Sequence, residues 1–206
     1  MARTLGVLVA GGRGTRLELG VPKALVACGG ETLLARALRV LEALCDDVVV
    51  SAPATLDLPL ERARRTDDPP GAEGPLAGLV AGLSSRACTR ALVLGVDFPL
   101  VRAEALRAIG ERLVDGVSVA LPAPGGRVQP LAAWWSAAAL PPLAGALARG
   151  ERALVPQALA LPHAIVDSVA LAALPGGEEG FHNVNTRDDL AAAEAALARL
   201  ALERRA

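Results

Sequence analysis

The chain has 206 residues, 52% of them apolar, and a formal net charge of -1: enough for one domain with a full core, and no broad electrostatic pull toward nucleic acid or a membrane surface. Aromatic residues make up 2% and tyrosine is absent, which argues against a protein that reads bases by stacking. Three widely spaced cysteines, Cys28, Cys45 and Cys88, with only His163 and His182 beside them, suit neither a disulfide framework nor a structural zinc site and fit reduced thiols in a cytoplasm. The opening residues lack the pattern of a secretory leader, and no stretch approaches the roughly 18 uncharged apolar residues of a membrane span. A cytoplasmic protein is expected.

"TLGVLVA" (4–10) is a continuous apolar run, as in a strand buried on both faces. "ETLLARALRVLEALC" (31–45) repeats apolar residues at helical spacing, and "DVVVSA" (47–52) reads as the next strand. "GPLAGLVAGLSS" (74–85) is a helix with Pro75 in its first turn, where the missing N–H is harmless. "RALVLGV" (90–96) is a buried strand, "RAEALRAIGERLVD" (102–115) a helix and "VSVAL" (117–121) a strand. This alternation predicts an α/β fold: a single domain, 1–206, with a mostly parallel, doubly wound sheet and helices on both faces.

In the second half, "RVQPLAAWW" (127–135) predicts a strand at an edge or with a bulge, because of Pro130. A helical stretch from 136 to 158 is broken by prolines and Gly150, and "HAIVDSV" (163–169) reads as a strand. "LPGGEEGFHNVNT" (174–186) is a loop. "RDDLAAAEAALARLALERR" (187–205) is a helix capped by Thr186, with Asp188 and Asp189 favourable to its dipole.

The loop that follows the first strand, "AGGRGTRLELGVPK" (10–23), carries the most specific signal. In an open parallel sheet, ligands bind at the carboxyl ends of the strands. Glycines there let backbone N–H groups approach an anion, and Arg13, Arg16 and Lys23 add charge. The loop is not a Walker A sequence, since Lys23 is followed by Ala24, nor a dinucleotide fingerprint, since Gly12-x-Gly14 leads to Leu17. Asp97 directly follows a buried strand and points to the same rim. Mg²⁺ takes one or two carboxylates, with waters and phosphate oxygens as its other ligands, and Asp97 is placed to be such a carboxylate; the alternative is a helix N-cap or turn aspartate ahead of Pro99. Asn183 and Asn185 alternate in an extended segment, so both can face one side.

"LVAGGRGTRL…PKALV" resembles the signature loop of nucleotidyltransferases, and its "AGG" resembles the molybdenum cofactor guanylyltransferases of the MobA type. "GPLAG" (74–78), "DFPL" (97–100), "QPL" (129–131) and "NVNT" (183–186) follow in the family order. The spacing from Arg16 to Lys23 is longer than the family's usual one. The resemblance implies a Rossmann-like nucleotidyltransferase fold, with 1–121 as its nucleotide-binding half and 122–206 as its acceptor-binding half. It implies transfer of GMP from GTP to the phosphate of molybdenum-bound molybdopterin, giving the guanine dinucleotide cofactor and pyrophosphate. It assigns nucleotide binding to Ala10, Gly11, Gly12, Gly14, Lys23, Ser51, Asp67 and Asp97, with Asp68 as the alternative to Asp67. Catalysis falls to Lys23, Arg16 and Asp97, with Mg²⁺ on Asp97. The pterin side falls to Asn183, Asn185 and Gln129, the last equally a polar residue on an edge strand. Expected partners are GTP and molybdopterin, with transient contact with other proteins of molybdenum cofactor biosynthesis. Neither nucleic acid nor a membrane is expected, and the protein should be a monomer. The nearer alternative is a relative that uses CTP or a sugar phosphate; the more distant is a non-catalytic nucleotide-binding module.

Overall fold

A computed structural model describes residues 3–11, 20–60, 63–69 and 71–203. The elements, in chain order, are β1 (Thr4–Val9), β2 (Ala27–Cys28), β3 (Glu31–Thr32), α1 (Leu33–Glu42), β4 (Asp47–Ser51), β5 (Arg64–Thr66), α2 (Pro75–Ser84), β6 (Arg90–Gly95) and α3 (Ala103–Gly110). After these come β7 (Val119–Pro122), β8 (Ala132–Ser136), α4 (Leu140–Ala148), α5 (Leu154–Ala160), β9 (His163–Val166), α6 (Ser168–Ala172) and α7 (Arg187–Glu203). β2 and β3 form a small antiparallel hairpin. The other strands make one sheet in the order β5-β4-β1-β6-β8-β7-β9.

The chain leaves β1 for β4 and β5 on one side and then crosses to β6 on the other. β1 is therefore the point where the strand order reverses, the place where doubly wound sheets open a crevice. The register puts the strand ends level: Val9 pairs in parallel with both Ser51 and Gly95. The loop after β1, the end of β4 and the start of the Asp97 segment thus share one rim.

Period-two alternation sends neighbouring side chains to two cores. On one face Leu92, Leu94 and Trp134 pack with α1, α3 and α7 through residues such as Leu41, Ile109 and Ala196. On the other, Val7, Val93 and Trp135 pack with α2, α4 and α5 through Leu79, Leu143 and Ala158. Close packing of α2 requires glycine: a Cβ on Gly82 would sit 2.2 Å from Val7 Cγ1.

The segment around Pro130 departs from expectation. Its strand starts later, at Ala132, and lies inside the sheet, antiparallel to both β6 and β7. Pro130 stays ahead of the ladder, so its missing N–H costs no sheet hydrogen bond. What fixes the strand is the Trp134–Trp135 pair, one ring per core, with both indole N–H groups satisfied by the Leu106 and Pro130 carbonyls. The helical stretch after it resolves into a 3-10 turn (Ala137–Ala139), α4 and α5, broken around Gly150, whose φ is 88°. The loop at 174–186 contains a single 3-10 turn, Glu178–Phe181.

Candidate active site

Ala10 continues β1 by one residue, its N–H donating to the Ser51 carbonyl at 2.9 Å. Gly11 follows at the mouth of the crevice. A Cβ there would lie 3.4 Å from Pro53 and 3.7 Å from Asp68 Oδ2. Gly12, Gly14 and Arg16 lie outside the described residues.

Pro22 precedes a 3-10 turn over Lys23–Leu25. That turn holds Lys23 inward, with only 7% of the residue exposed. A buried ammonium needs acceptors. Lys23 Nζ donates to Asn185 Oδ1 at 2.9 Å and stands 3.8 Å from Asp97 Oδ2.

Asp97 comes two residues after β6. Its carboxylate folds back over the strand end, close enough that a Cβ on Gly95 would lie 2.3 Å from Oδ1. Oδ2 accepts a hydrogen bond from Asn183 Nδ2 at 2.8 Å, and the Asp97 carbonyl accepts one from Val184 N–H at 2.9 Å. The 183–186 segment is therefore laid directly across the end of β6. Each asparagine engages one member of the Lys23–Asp97 pair.

Ser51 is fully buried at the end of β4 and its hydroxyl donates to Asp68 Oδ1 at 2.8 Å. Asp67 turns the other way: its side chain is 60% exposed and pairs with Arg65 at 3.1 Å. Of the two aspartates, Asp68 is the one beside Gly11 and Ser51.

Gln129 is half-buried, with its N–H on the Pro122 carbonyl at 2.8 Å. It lines a cavity of about 490 Å³ together with Arg127, His182, Asn183, Asn185 and Asp189. This cavity opens beside Asp97 on the side away from Ser51 and is large enough for a small organic ligand. Among the described residues no three potential metal-ligating side chains cluster. Asp97 Oδ1 accepts no hydrogen bond among them.

Two features escaped the sequence reading. Asp189, beyond its favourable place in the dipole of α7, holds the backbone of Asn185 and Thr186. Those N–H groups, Asn185 first, hold its carboxyl below the usual aspartate range. Gly95 is needed for the approach of the Asp97 carboxylate. The spacing of Asp189 three residues after Thr186 is a capping-box signal, but no local pattern reveals Gly95.

The buried Lys23 thus faces the Asp97 carboxylate near the switch point of a doubly wound sheet. The MobA-like NTP transferase domain matches residues 6–163, and the chain belongs to that family. It is similar to the probable molybdenum cofactor guanylyltransferase of Chloroflexus aggregans, 33% identical over 93% of this chain and 94% of that one. It is also similar to the molybdenum cofactor guanylyltransferase of Pseudomonas putida, 37% identical over 72% of this chain and 78% of that one. Among solved structures, molybdopterin-guanine dinucleotide biosynthesis protein A from Archaeoglobus fulgidus shares the fold. Its TM-score is 0.76 at 23% identity, over 95% of this chain and 99% of that one. Among the described residues no helix is long and apolar enough to cross a membrane.

Proposed function

We propose that the protein transfers GMP from GTP to the terminal phosphate of molybdenum-bound molybdopterin, releasing pyrophosphate. The observation that carries this reading is the Lys23–Asp97 pair, which joins the loop at the end of β1 to the Asn183–Asn185 segment of the neighbouring cavity. A nucleotide on the β1–β4 rim and an acceptor in the cavity would meet at that pair. The names of the relatives supply the guanine and the pterin.

A phosphate oxygen of the acceptor attacks the α-phosphorus of GTP in line. The new P–O bond forms as the bond from the α-phosphorus to the bridging oxygen breaks, and pyrophosphate leaves with that electron pair. The attacking phosphate is already ionised, so no general base is required. Both reactants are anions, and the chain must offset their repulsion. Lys23 serves as the fixed cation, with Arg16 and the loop N–H groups assigned to the same triphosphate. Gly11 leaves the backbone open on the nucleotide side, where Ser51 and Asp68 line the β4 end. Asn183, Asn185 and Gln129 orient the acceptor.

Mg²⁺ is the expected cofactor, and the donor set fits it: one carboxylate, Asp97, for an ion that keeps waters and phosphate oxygens as its other ligands. Bound there, it would supply further charge neutralisation at the reacting phosphates. Pyrophosphate release with molybdopterin and Mg²⁺, run in parallel with GTP, CTP and ATP, tests the proposal. Release with GTP alone is expected. Release with CTP alone keeps the chemistry and moves the base preference, and no release with any of the three overturns the reading.

A further inference from the structure

Asp189 makes one hydrogen bond more than a helix cap needs. Two of its bonds form a reciprocal capping box: its own N–H donates to Thr186 Oγ1 at 3.1 Å, and Thr186 N–H donates to Asp189 Oδ2 at 2.8 Å. The third lies outside the helix. Asn185 N–H donates to the same Oδ2 at 2.9 Å. Asn185 precedes the cap, so its N–H is not one of the orphan donors that a helix start leaves behind.

That extra bond falls at a critical place. The strand-like segment is pinned on its other side by Val184, which is 2% exposed and donates its N–H to the Asp97 carbonyl. With Val184 and Asp189 as the two anchors, the backbone of Asn185 is fixed from both sides. Its exposed side chain then has few ways to turn, and its Oδ1 receives the Lys23 ammonium. We infer that Asp189 is a positioning residue for nucleotidyl transfer: it fixes Asn185, and through Asn185 the direction of Lys23. The inference rests on the reaction proposed above for its kinetic readout, though not for its structural one.

The test compares D189A, D189N and T186A by crystal structures of the nucleotide-free proteins and by steady-state kinetics. T186A removes a capping bond but leaves the Asp189–Asn185 bond, so it reports the cost of capping alone. D189A is expected to break the contact between Lys23 and Asn185 and to lower kcat about tenfold, the size of one hydrogen bond to a charged group. KM for GTP should stay within about twofold. T186A should keep both the contact and kcat, and D189N, which retains an acceptor oxygen, should recover most of the lost rate. Because Asp189 acts chiefly through Asn185, with only a weaker direct attraction between its charge and Lys23, the D189A/N185A double variant should lose far less than tenfold relative to N185A.

If D189A and T186A match in kcat and the Lys23–Asn185 contact survives in both, Asp189 is only a cap and the inference is overturned. A full additional loss in the N185A background overturns it as well. If the unaltered protein releases no pyrophosphate, the reaction assignment falls. The crystal structures then decide alone, and a contact preserved in D189A rejects the positioning role. Should D189A fail to fold, D189S, whose shorter hydroxyl cannot span both N–H groups, takes its place.

Discussion

Lys23 and Asn185 lie 162 residues apart in sequence, and their side chains meet at 2.9 Å. The contact ties the end of the opening loop to the last segment before α7, the two stretches that the family resemblance assigns to different substrates. Any change at Lys23 is therefore expected to reach both sides of the site.

K23M keeps the bulk of the side chain and removes its charge. It is expected to cost roughly 2–4 kcal/mol of transition-state stabilisation, as for other lost donors to a developing charge. Initial rates of pyrophosphate release would read this as a fall in kcat/KM of about one and a half to three orders of magnitude. D97A should abolish turnover. D97N keeps an oxygen that can accept the Asn183 N–H, yet should remain inactive if the charge is what matters. Near-normal rates in D97N would remove the metal role from this residue.

Two glycines separate positioning from packing. A Cβ on Gly95 meets Asp97 Oδ1 at 2.3 Å, and a Cβ on Gly82 meets Val7 Cγ1 at 2.2 Å. The first neighbour is the outer oxygen of the Asp97 side chain; the second is a branched β1 side chain packed under α2. G95A should fold with little loss of stability and lose activity because the carboxylate is displaced. G82A should lose about 1–3 kcal/mol by overpacking and keep its activity per folded molecule. Denaturant melts paired with specific activity check both, and a stable, fully active G95A would show that the position of the carboxylate is not critical.

Much of this was legible in the sequence because buried parallel strands and amphipathic helices leave strong periodic signals, as in β1, β6 and α1. The polar residues that interrupt them stand out: Lys23 after Pro22, Asp97 after β6, and the two asparagines before α7. What was not legible depended on direction in space. Counting back from Gly74 favours Asp67, but chain direction sends Asp67 to Arg65 and Asp68 to Ser51. β5, with the sequence Arg-Arg-Thr, has no apolar pattern and is set by pairing with β4 and by hydrogen bonds from Arg65 to the Leu56 and Pro53 carbonyls. Pro130 suggested an edge, because a proline does not reveal that the ladder begins two residues later.

The response to acid follows from two depressed carboxyls. Glu31 is held below its usual range chiefly by its hydrogen bonds from Arg39, and Asp189 chiefly by the Asn185 N–H. In both, the folded state binds its proton less readily than the unfolded chain does. Their stabilisation is present above the unfolded value, about pH 4, and is lost as pH falls through the folded value. Melting temperatures should therefore be flat near neutrality and fall below about pH 4. E31Q should narrow the difference between melting temperatures at about pH 6 and about pH 3. An unchanged difference would mean that the partly exposed pair with Arg39 contributes nothing measurable.

Asp68 and Asp67 make opposite predictions for the nucleotide. The Asp68 carboxylate sits above the ends of β1 and β4, with one oxygen on the Ser51 hydroxyl and the other facing Gly11. D68A should raise KM for GTP roughly 10- to 100-fold, the range for hydrogen bonds to a charged group, with a smaller change in kcat. S51A removes the donor that orients Asp68 and should give a smaller rise in the same direction. D67A breaks only a solvent-screened pair with Arg65, worth little, and should leave KM within about twofold. Steady-state kinetics on the three variants separates the assignments: a large effect in D67A and none in D68A would return the nucleotide contact to Asp67 and reduce the Ser51–Asp68 bond to a structural tie between β4 and the loop before α2.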